Sequence, residues 1–138
     1  MNFIGTWGRD VLNGSSESDY LEGNIGNDVL RGGGGDDAIK GGSGDDILHG
    51  GRGADDFIFV RGDGHDTVRD YRPEQGDTLA FHGFSPREVT FRPVEGGVEV
   101  HAGGIAAQAA DHLVVLLQGV TMEQMAATLL ANGDIVFG

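Results

Sequence analysis

From Gly5 to Ile58 the large apolar residues recur every nine positions, set among glycine and polar residues. In register the segment reads GTWGRDVLN, GSSESDYLE, GNIGNDVLR, GGGGDDAIK, GGSGDDILH and GGRGADDFI. The frame is Gly-Gly-x-Gly-x-Asp-x-U-x, with Leu12, Leu21, Leu30, Ile39, Leu48 and Phe57 at the apolar position eight. Only positions seven to nine can form a strand, because the residues before them are turn formers whose glycines tolerate positive φ. The middle side chain of such a triplet faces opposite to its neighbours, so position eight points inward while seven and nine meet water. A strand this short cannot bury itself alone, but stacking strand-turn units into a coil puts every position-eight side chain on one interior ladder. Two units close a coil of eighteen residues. The expected fold is all-β: a right-handed parallel β-roll of six nonapeptides, odd units on one side and even units on the other.

Beyond Phe57-Ile58-Phe59-Val60 the frame breaks. Residues 61–71 and 76–81 read as two further strands with turns, and here Asp63, Asp66 and Asp77 are read as surface turn acids, with one more ion near Asp63 and Asp66 as the alternative. Val89–Phe91 and Val98–His101 read as strands around a Glu95-Gly96-Gly97 hairpin turn, and Leu113–Leu117 as a central strand capping the roll. Thr121-Met-Glu-Gln124 has the form of a capping box, and Met122, Met125, Ala126, Leu129 and Leu130 recur at helical spacing until Gly133. A short capping helix is expected, its apolar face covering the open end of the roll. Residues 5–58 and 59–138 together form one cooperative unit, the second part carrying the cap and a secretion signal.

Composition sharpens this picture. The 138 residues include 26 glycines and three prolines without a three-residue period, so glycine serves the turns and not a collagen helix. There is no cysteine, which removes disulfides and thiolate metal sites. Asp and Glu outnumber Lys and Arg 22 to 9, a net charge of −13 that repels nucleic acid and acidic lipid and calls for a bound hard cation. No apolar run is long enough to span a membrane. Met1-Asn2-Phe3-Ile4-Gly5 runs straight into the repeats without the pattern of a cleavable signal peptide, which points to export by another route.

The position-six aspartates follow the coil geometry. Asp10, Asp28 and Asp46 stack on one side and Asp19, Asp37 and Asp55 on the other, each step about 4.8 Å, the spacing of strands. Two calcium–oxygen bonds of about 2.4 Å span the same distance, so Ca²⁺ fits between stacked turns, with backbone carbonyls completing its oxygen shell. As bare columns these carboxylates would repel one another.

The nonapeptide resembles the signature of the RTX (repeats-in-toxin), or hemolysin-type calcium-binding, family. That resemblance implies ligands from the carbonyls of positions two and four and the aspartate of one turn, with the carbonyls of positions one and three and the aspartate of the turn above. Carried onto this chain, a first ion would use Thr6, Gly8 and Asp10 with Gly23, Ile25 and Asp28. A second would use Ser15, Glu17 and Asp19 with Gly32, Gly34 and Asp37; here Ser15 and Glu17 depart from the glycine pattern. A third would take Asn24, Gly26 and Asp28 with Gly41, Ser43 and Asp46. A fourth would take Gly33, Gly35 and Asp37 with Gly50, Arg52 and Asp55.

Residues 5–58 carry eleven acidic against four basic side chains, so without calcium they are expected to be disordered and to fold on meeting extracellular Ca²⁺. The closing Asp134-Ile-Val-Phe137-Gly138 resembles the C-terminal targeting region of RTX proteins exported by type I secretion machinery, which implies a secreted protein. His49, His65, His82, His101 and His112 lie in no His-Glu-x-x-His motif, and no Gly-x-Ser-x-Gly elbow is present, so intrinsic catalysis is not expected. The alternative is an accessory module gripping an extracellular polysaccharide, as in alginate epimerases, with Arg69, Tyr71, Arg72, Arg87 and Arg92 as its candidate contacts.

Overall fold

A computed structural model describes residues 2–60, 63–84, 89–102, 113–125 and 135–137. Short strands alternate with glycine-rich turns: β1 (Asn2–Ile4), β2 (Val11–Asn13), β3 (Tyr20–Glu22), β4 (Val29–Arg31), β5 (Ala38–Lys40), β6 (Ile47–His49), β7 (Asp56–Val60), β8 (His65–Val68) and β9 (Thr78–His82). They are followed by β10 (Val89–Val94), β11 (Gly97–Ala102), β12 (Leu113–Gln118) and β13 (Ile135–Phe137). Each of β2 to β6 occupies positions seven to nine of its nonapeptide. One sheet runs β1-β3-β5-β7-β9-β13, parallel throughout, and the other runs β10-β11-β12-β8-β6-β4-β2. Odd and even units therefore lie on opposite walls of a parallel β-roll, as the eighteen-residue period requires.

Register is kept by the interior ladder. Leu12 faces Leu30 and Leu30 faces Leu48 on one wall, while Leu21, Ile39 and Phe57 align on the other. Leu21, Leu30, Ile39, Leu48, Phe57, Val68 and Leu79 are fully buried, each contributing roughly 1.5–3 kcal/mol by removing an apolar side chain from water. A slip of one residue would turn every one of them outward. The coil begins one strand before the first complete nonapeptide, since Phe3 stands nine residues before Leu12 and pairs with Leu21.

The roll thickens in its second half. Strands β7 and β9 are five residues long, so each sends two large side chains inward: Phe57 and Phe59, Leu79 and Phe81. Phe59 stacks on Phe81 at 5.5 Å, and Phe84 meets Phe81 edge-on at 6.3 Å. Strands β10 and β11 form the expected antiparallel hairpin, and β12 is central, pairing antiparallel with β11 and parallel with β8. A helical turn over 122–125 starts at the expected capping box. Thr121 Oγ1 accepts the Gln124 N–H at 3.2 Å, and Gln124 Oε1 accepts the Thr121 N–H at 2.8 Å. Met125 is buried against the core; Ala126, Leu129 and Leu130 lie outside the described residues. The C-terminal apolar residues form β13 against β9.

Candidate metal centre

The position-six aspartates of the third to sixth units, Asp28, Asp37, Asp46 and Asp55, each have two tasks, one per oxygen. Each Oδ1 accepts the backbone N–H of the aspartate one coil earlier: Asp10 N–H to Asp28 at 2.8 Å, Asp28 to Asp46 at 2.9 Å, Asp19 to Asp37 at 2.8 Å and Asp37 to Asp55 at 2.9 Å. These bonds lock neighbouring turns. The Oδ2 atoms of Asp28, Asp37, Asp46, Asp55 and Asp66 are buried without a hydrogen-bond partner. Leaving a buried acceptor unsatisfied costs about 1–3 kcal/mol, more for a charged group, so a ladder of them points to a ligand.

The position-one glycines show what those oxygens face. A Cβ on Gly5 would lie 2.7 Å from both Asp10 Oδ2 and the carbonyl oxygen of Gly23. A Cβ on Gly23 would lie 2.5 Å from Asp28 Oδ2 and 2.6 Å from Gly41 O. Gly14 repeats the arrangement with Asp19 and Gly32, and Gly32 with Asp37 and Gly50. In all four expected sites, therefore, the aspartate of one turn and the position-one carbonyl of the next converge on a small space that only glycine leaves open.

The other expected ligands are backbone carbonyls of the same turns. Gly8 O and Gly26 O point across to Gly26 and Gly44 of the following coil, and Asn24 O and Gly33 O to Gly42 and Gly51. Ser15 O and Gly33 O accept N–H bonds from Gly34 and Arg52 at 3.0 and 2.9 Å, and Ser43 O accepts one from Gly26 at 3.1 Å; each keeps a second lone pair. Ile25 bridges to Ser43 in parallel register, and Gly35 packs over the backbone of Glu17. Asn24 adopts φ 69°, as Gly33, Gly42 and Gly51 do at the same position with 93°, 87° and 87°. Thr6 and Ser15 break that pattern. Thr6 N–H and Oγ1 bond Asp10 at 2.6 and 3.0 Å, and Ser15 N–H and Oγ bond Asp19 at 2.6 and 2.8 Å.

Among the described residues no three His, Asp or Glu side chains converge as a metal-binding group. This is the expected appearance of a site built from two carboxylates and main-chain carbonyls, an all-oxygen set suited to Ca²⁺. The residues fit the ion.

Burial sets the electrostatics. It pushes the carboxyls of Asp28, Asp37 and Asp63 above their ordinary range. Asp55 is raised to about 7 by burial, with Asp77 and Asp37 adding repulsion, and Asp77 to about 6 by burial. Asp46 and Asp66 are both raised, burial leading, with the charge of Asp28 adding at Asp46 and that of Asp46 adding at Asp66. Asp19 alone moves down, because the Ser15 backbone N–H, and then its hydroxyl, outweigh burial. The columns thus hold carboxylates that resist ionising until a cation joins them.

The reading of Asp63, Asp66 and Asp77 as surface turn acids is corrected: all three are buried. Asp66 accepts the Asp46 N–H at 3.0 Å and Asp77 the Asp55 N–H at 2.9 Å, extending the two columns past the nonapeptides. Insertions of two and four residues hide them from an eighteen-residue search, yet Asp66-Thr-Val68 and Asp77-Thr-Leu79 keep the Asp-x-U signature. Asp63 accepts the Val60 N–H at 2.7 Å. Asp70, which no motif marked, binds the N–H groups of Gly50 and Gly51 at 2.8 and 2.9 Å. Of the polysaccharide candidates, Arg69, Tyr71 and Arg72 share one cleft, Arg92 lies on β10, and Arg87 is outside the described residues.

Comparison with known proteins agrees with this geometry. Residues 4–39, 23–57 and 31–68 match the RTX calcium-binding nonapeptide repeat (4 copies). The R3 subunit of the Azotobacter vinelandii mannuronan C5-epimerase AlgE6 is similar at 27% identity, with TM-score 0.68 over 96% of this chain and 80% of that one. The R2 subunit of the same enzyme is 26% identical, with TM-score 0.70 over 99% and 92%. The extracellular lipase LipA of Serratia marcescens is 26% identical, with TM-score 0.73 over 99% of this chain and 21% of the lipase. A sequence search of curated proteins gives no significant match.

Proposed function

We propose, for a chain whose residues 4–68 belong to the RTX calcium-binding nonapeptide repeat family, that it is a non-catalytic module of a secreted protein that is unfolded where Ca²⁺ is scarce and folds where Ca²⁺ is plentiful. The observation that carries this reading is the ladder of buried, unpartnered Oδ2 atoms on Asp28, Asp37, Asp46, Asp55 and Asp66. The carboxylates of Asp10, Asp19, Asp28, Asp37, Asp46 and Asp55 would hold about four ions, with carbonyls from positions one to four. Asp66 and Asp77 provide for a further ion at the end of each column. Bound Ca²⁺ supplies the positive charge that these carboxylates lack when the roll is closed, their oxygens and the carbonyls coordinating it. Without it the nonapeptide half opposes its own folding, since each strand buries one large side chain while its glycines lose much conformational freedom. Extracellular calcium modules commonly work at about 10⁻⁴ to 10⁻³ M, so the chain stays threadable in the cytosol and closes outside. This suits export through type I secretion machinery. The chain's role is then to stabilise or present the secreted protein.

Far-UV circular dichroism during a calcium titration, with magnesium as control, tests the reading. A coil spectrum that becomes β cooperatively near millimolar Ca²⁺, and not with Mg²⁺, is the expected outcome. A β spectrum that survives chelator would overturn it.

A further inference from the structure

The first two turns of the roll are built differently from those that follow. In units three to six the residues at positions two and four all have positive φ: Asn24 and Gly26, Gly33 and Gly35, Gly42 and Gly44, Gly51 and Gly53. In units one and two these positions hold Thr6 and Gly8, then Ser15 and Glu17, and none of the four has positive φ. Thr6, being β-branched, is the least able to adopt it. Positions two and four carry the carbonyls expected to face an ion from the lower turn. The departure therefore falls on the first and second sites and spares the third and fourth.

A hydroxyl takes over the centre of each of these two turns. Thr6 Oγ1 accepts the Gly8 N–H at 3.2 Å and donates to Asp10 Oδ2 at 3.0 Å, and the Thr6 N–H reaches the same oxygen at 2.6 Å. Ser15 repeats the arrangement. Its Oγ accepts the Glu17 N–H at 3.1 Å and donates to Asp19 Oδ2 at 2.8 Å, which its N–H also reaches at 2.6 Å. From unit three onward the contrast is complete, for the Oδ2 atoms of Asp28, Asp37, Asp46 and Asp55 are buried without a hydrogen-bond partner. Two donors on one carboxylate hold it in its ionised form. Asp19 accordingly lies below its ordinary range, the Ser15 N–H leading, while burial takes Asp28, Asp37, Asp46 and Asp55 above theirs.

We propose that Thr6 and Ser15 set the order in which the roll takes up calcium: their hydroxyl and amide hydrogens stand where an ion meets the later carboxylates, so the first two sites fill last and at least about tenfold more weakly than the rest. An ion arriving at Asp10 or Asp19 has to displace two donors already bonded to one oxygen, and to turn a threonine or serine backbone to positive φ. On the Oδ2 atoms of Asp28, Asp37, Asp46 and Asp55 it displaces nothing. The first coil thereby closes without ions of its own, at the end where β1 and β2 are the outermost strands of the two sheets. This inference rests on the calcium-loaded roll proposed above and ranks its sites.

Equilibrium dialysis of the full chain against calcium counts the ions and resolves their affinities, and circular dichroism on the same samples reports folding. Two classes of site are expected in the wild type, the weaker holding two ions. Thr6→Gly/Ser15→Gly should bring those two into the tight class, a gain of at least about tenfold, whereas Thr6→Ser/Ser15→Thr, which keeps both hydroxyls, should retain two classes. A single class in the wild type overturns the proposal, as does a folded double glycine variant whose two weak ions stay weak or are lost. Amide resonances of the wild type test the same point without a substitution. The folded-state signals of Thr6 and Ser15 should shift with the last two ions, after those of Asn24 and Gly33 have stopped moving; if all four move together, Thr6 and Ser15 do not set the order. A chain that binds no calcium overturns the reading beneath the proposal.

Discussion

At the scale of single residues, the position-one glycines and the position-six aspartates are one device. Gly23 is needed for space and not for positive φ: a methyl group there would lie 2.5 Å from Asp28 Oδ2 and 2.6 Å from Gly41 O, inside the volume a cation would share with both. Gly23→Ala should therefore raise the calcium concentration at the folding midpoint by at least about tenfold, consistent with an overpacking cost of roughly 1–3 kcal/mol. Glu95→Ala, an exposed residue of the β10–β11 turn, should leave that midpoint in place. Equal shifts for the two would argue against the oxygen-lined space. The aspartates set a pH dependence. Asp55 is raised to about 7 and Asp77 to about 6 in the folded, metal-free chain, against about 3.9 when unfolded. The metal-free fold therefore binds more protons than the unfolded chain, and its stability falls as pH rises from about 4 through about 7. Calcium needs the same groups ionised, so protons compete with it. Because the calcium-free chain is unfolded and its carboxyls are already ionised there, midpoints at pH 8 and 6 should agree and rise only as pH falls towards about 4. A midpoint that rose already between pH 8 and 6 would mean that calcium binds a chain folded beforehand.

At the scale of elements, a three-residue strand is worth what its middle side chain buries. Leu30 on β4 is fully buried between Leu12 and Leu48, and Leu30→Ala should cost about 2–5 kcal/mol in calcium. Leu12 on the edge strand β2 is only partly buried, so Leu12→Ala should cost about half as much. Chemical denaturation of the calcium-saturated variants measures both, and comparable losses would mean the ladder does not end at β2. The ladder was legible because a period of nine with one apolar residue per unit admits few folds; β2 to β6 fall on the positions it assigns. It was less legible where insertions shift the frame. Asp66 and Asp77 continue the columns at twenty and twenty-two residues from their partners, which the backbone absorbs in longer turns. Strand β1 escaped because a single Phe3 cannot announce a period, and Asp70 because its role, capping two amide groups of a neighbouring coil, depends on where the chain returns and on no local pattern. The capping box at Thr121 was readable for the opposite reason, since both of its hydrogen bonds are made within four residues.

At the scale of the whole molecule the two halves fold on different driving forces. Residues 5–58 place one large side chain per strand in the interior and stack six aspartates in two columns. The later strands bring Phe59, Phe81 and Phe84 together with Val98, Val100, Val115 and Leu117 in one cluster, burial that needs no metal. Strands β8 and β12 join the halves, pairing the aspartate-bearing wall to the apolar hairpin. Folding should therefore spread from the C-terminal cluster towards β1 as calcium rises, each coil forming on the one already closed, as in other stacked-repeat proteins. Hydrogen exchange at a series of calcium concentrations resolves this. Amides of residues 78–82, 97–102 and 113–118 should gain protection at lower calcium than those of residues 11–13, 20–22 and 29–31, with the edge strands last because Phe3 and Leu12 are only partly covered. Simultaneous protection of all segments would mean that the aspartate columns close as a single unit with the cluster. Protection appearing first near β1 would place the nucleus among the nonapeptides and remove the apolar half from its templating role.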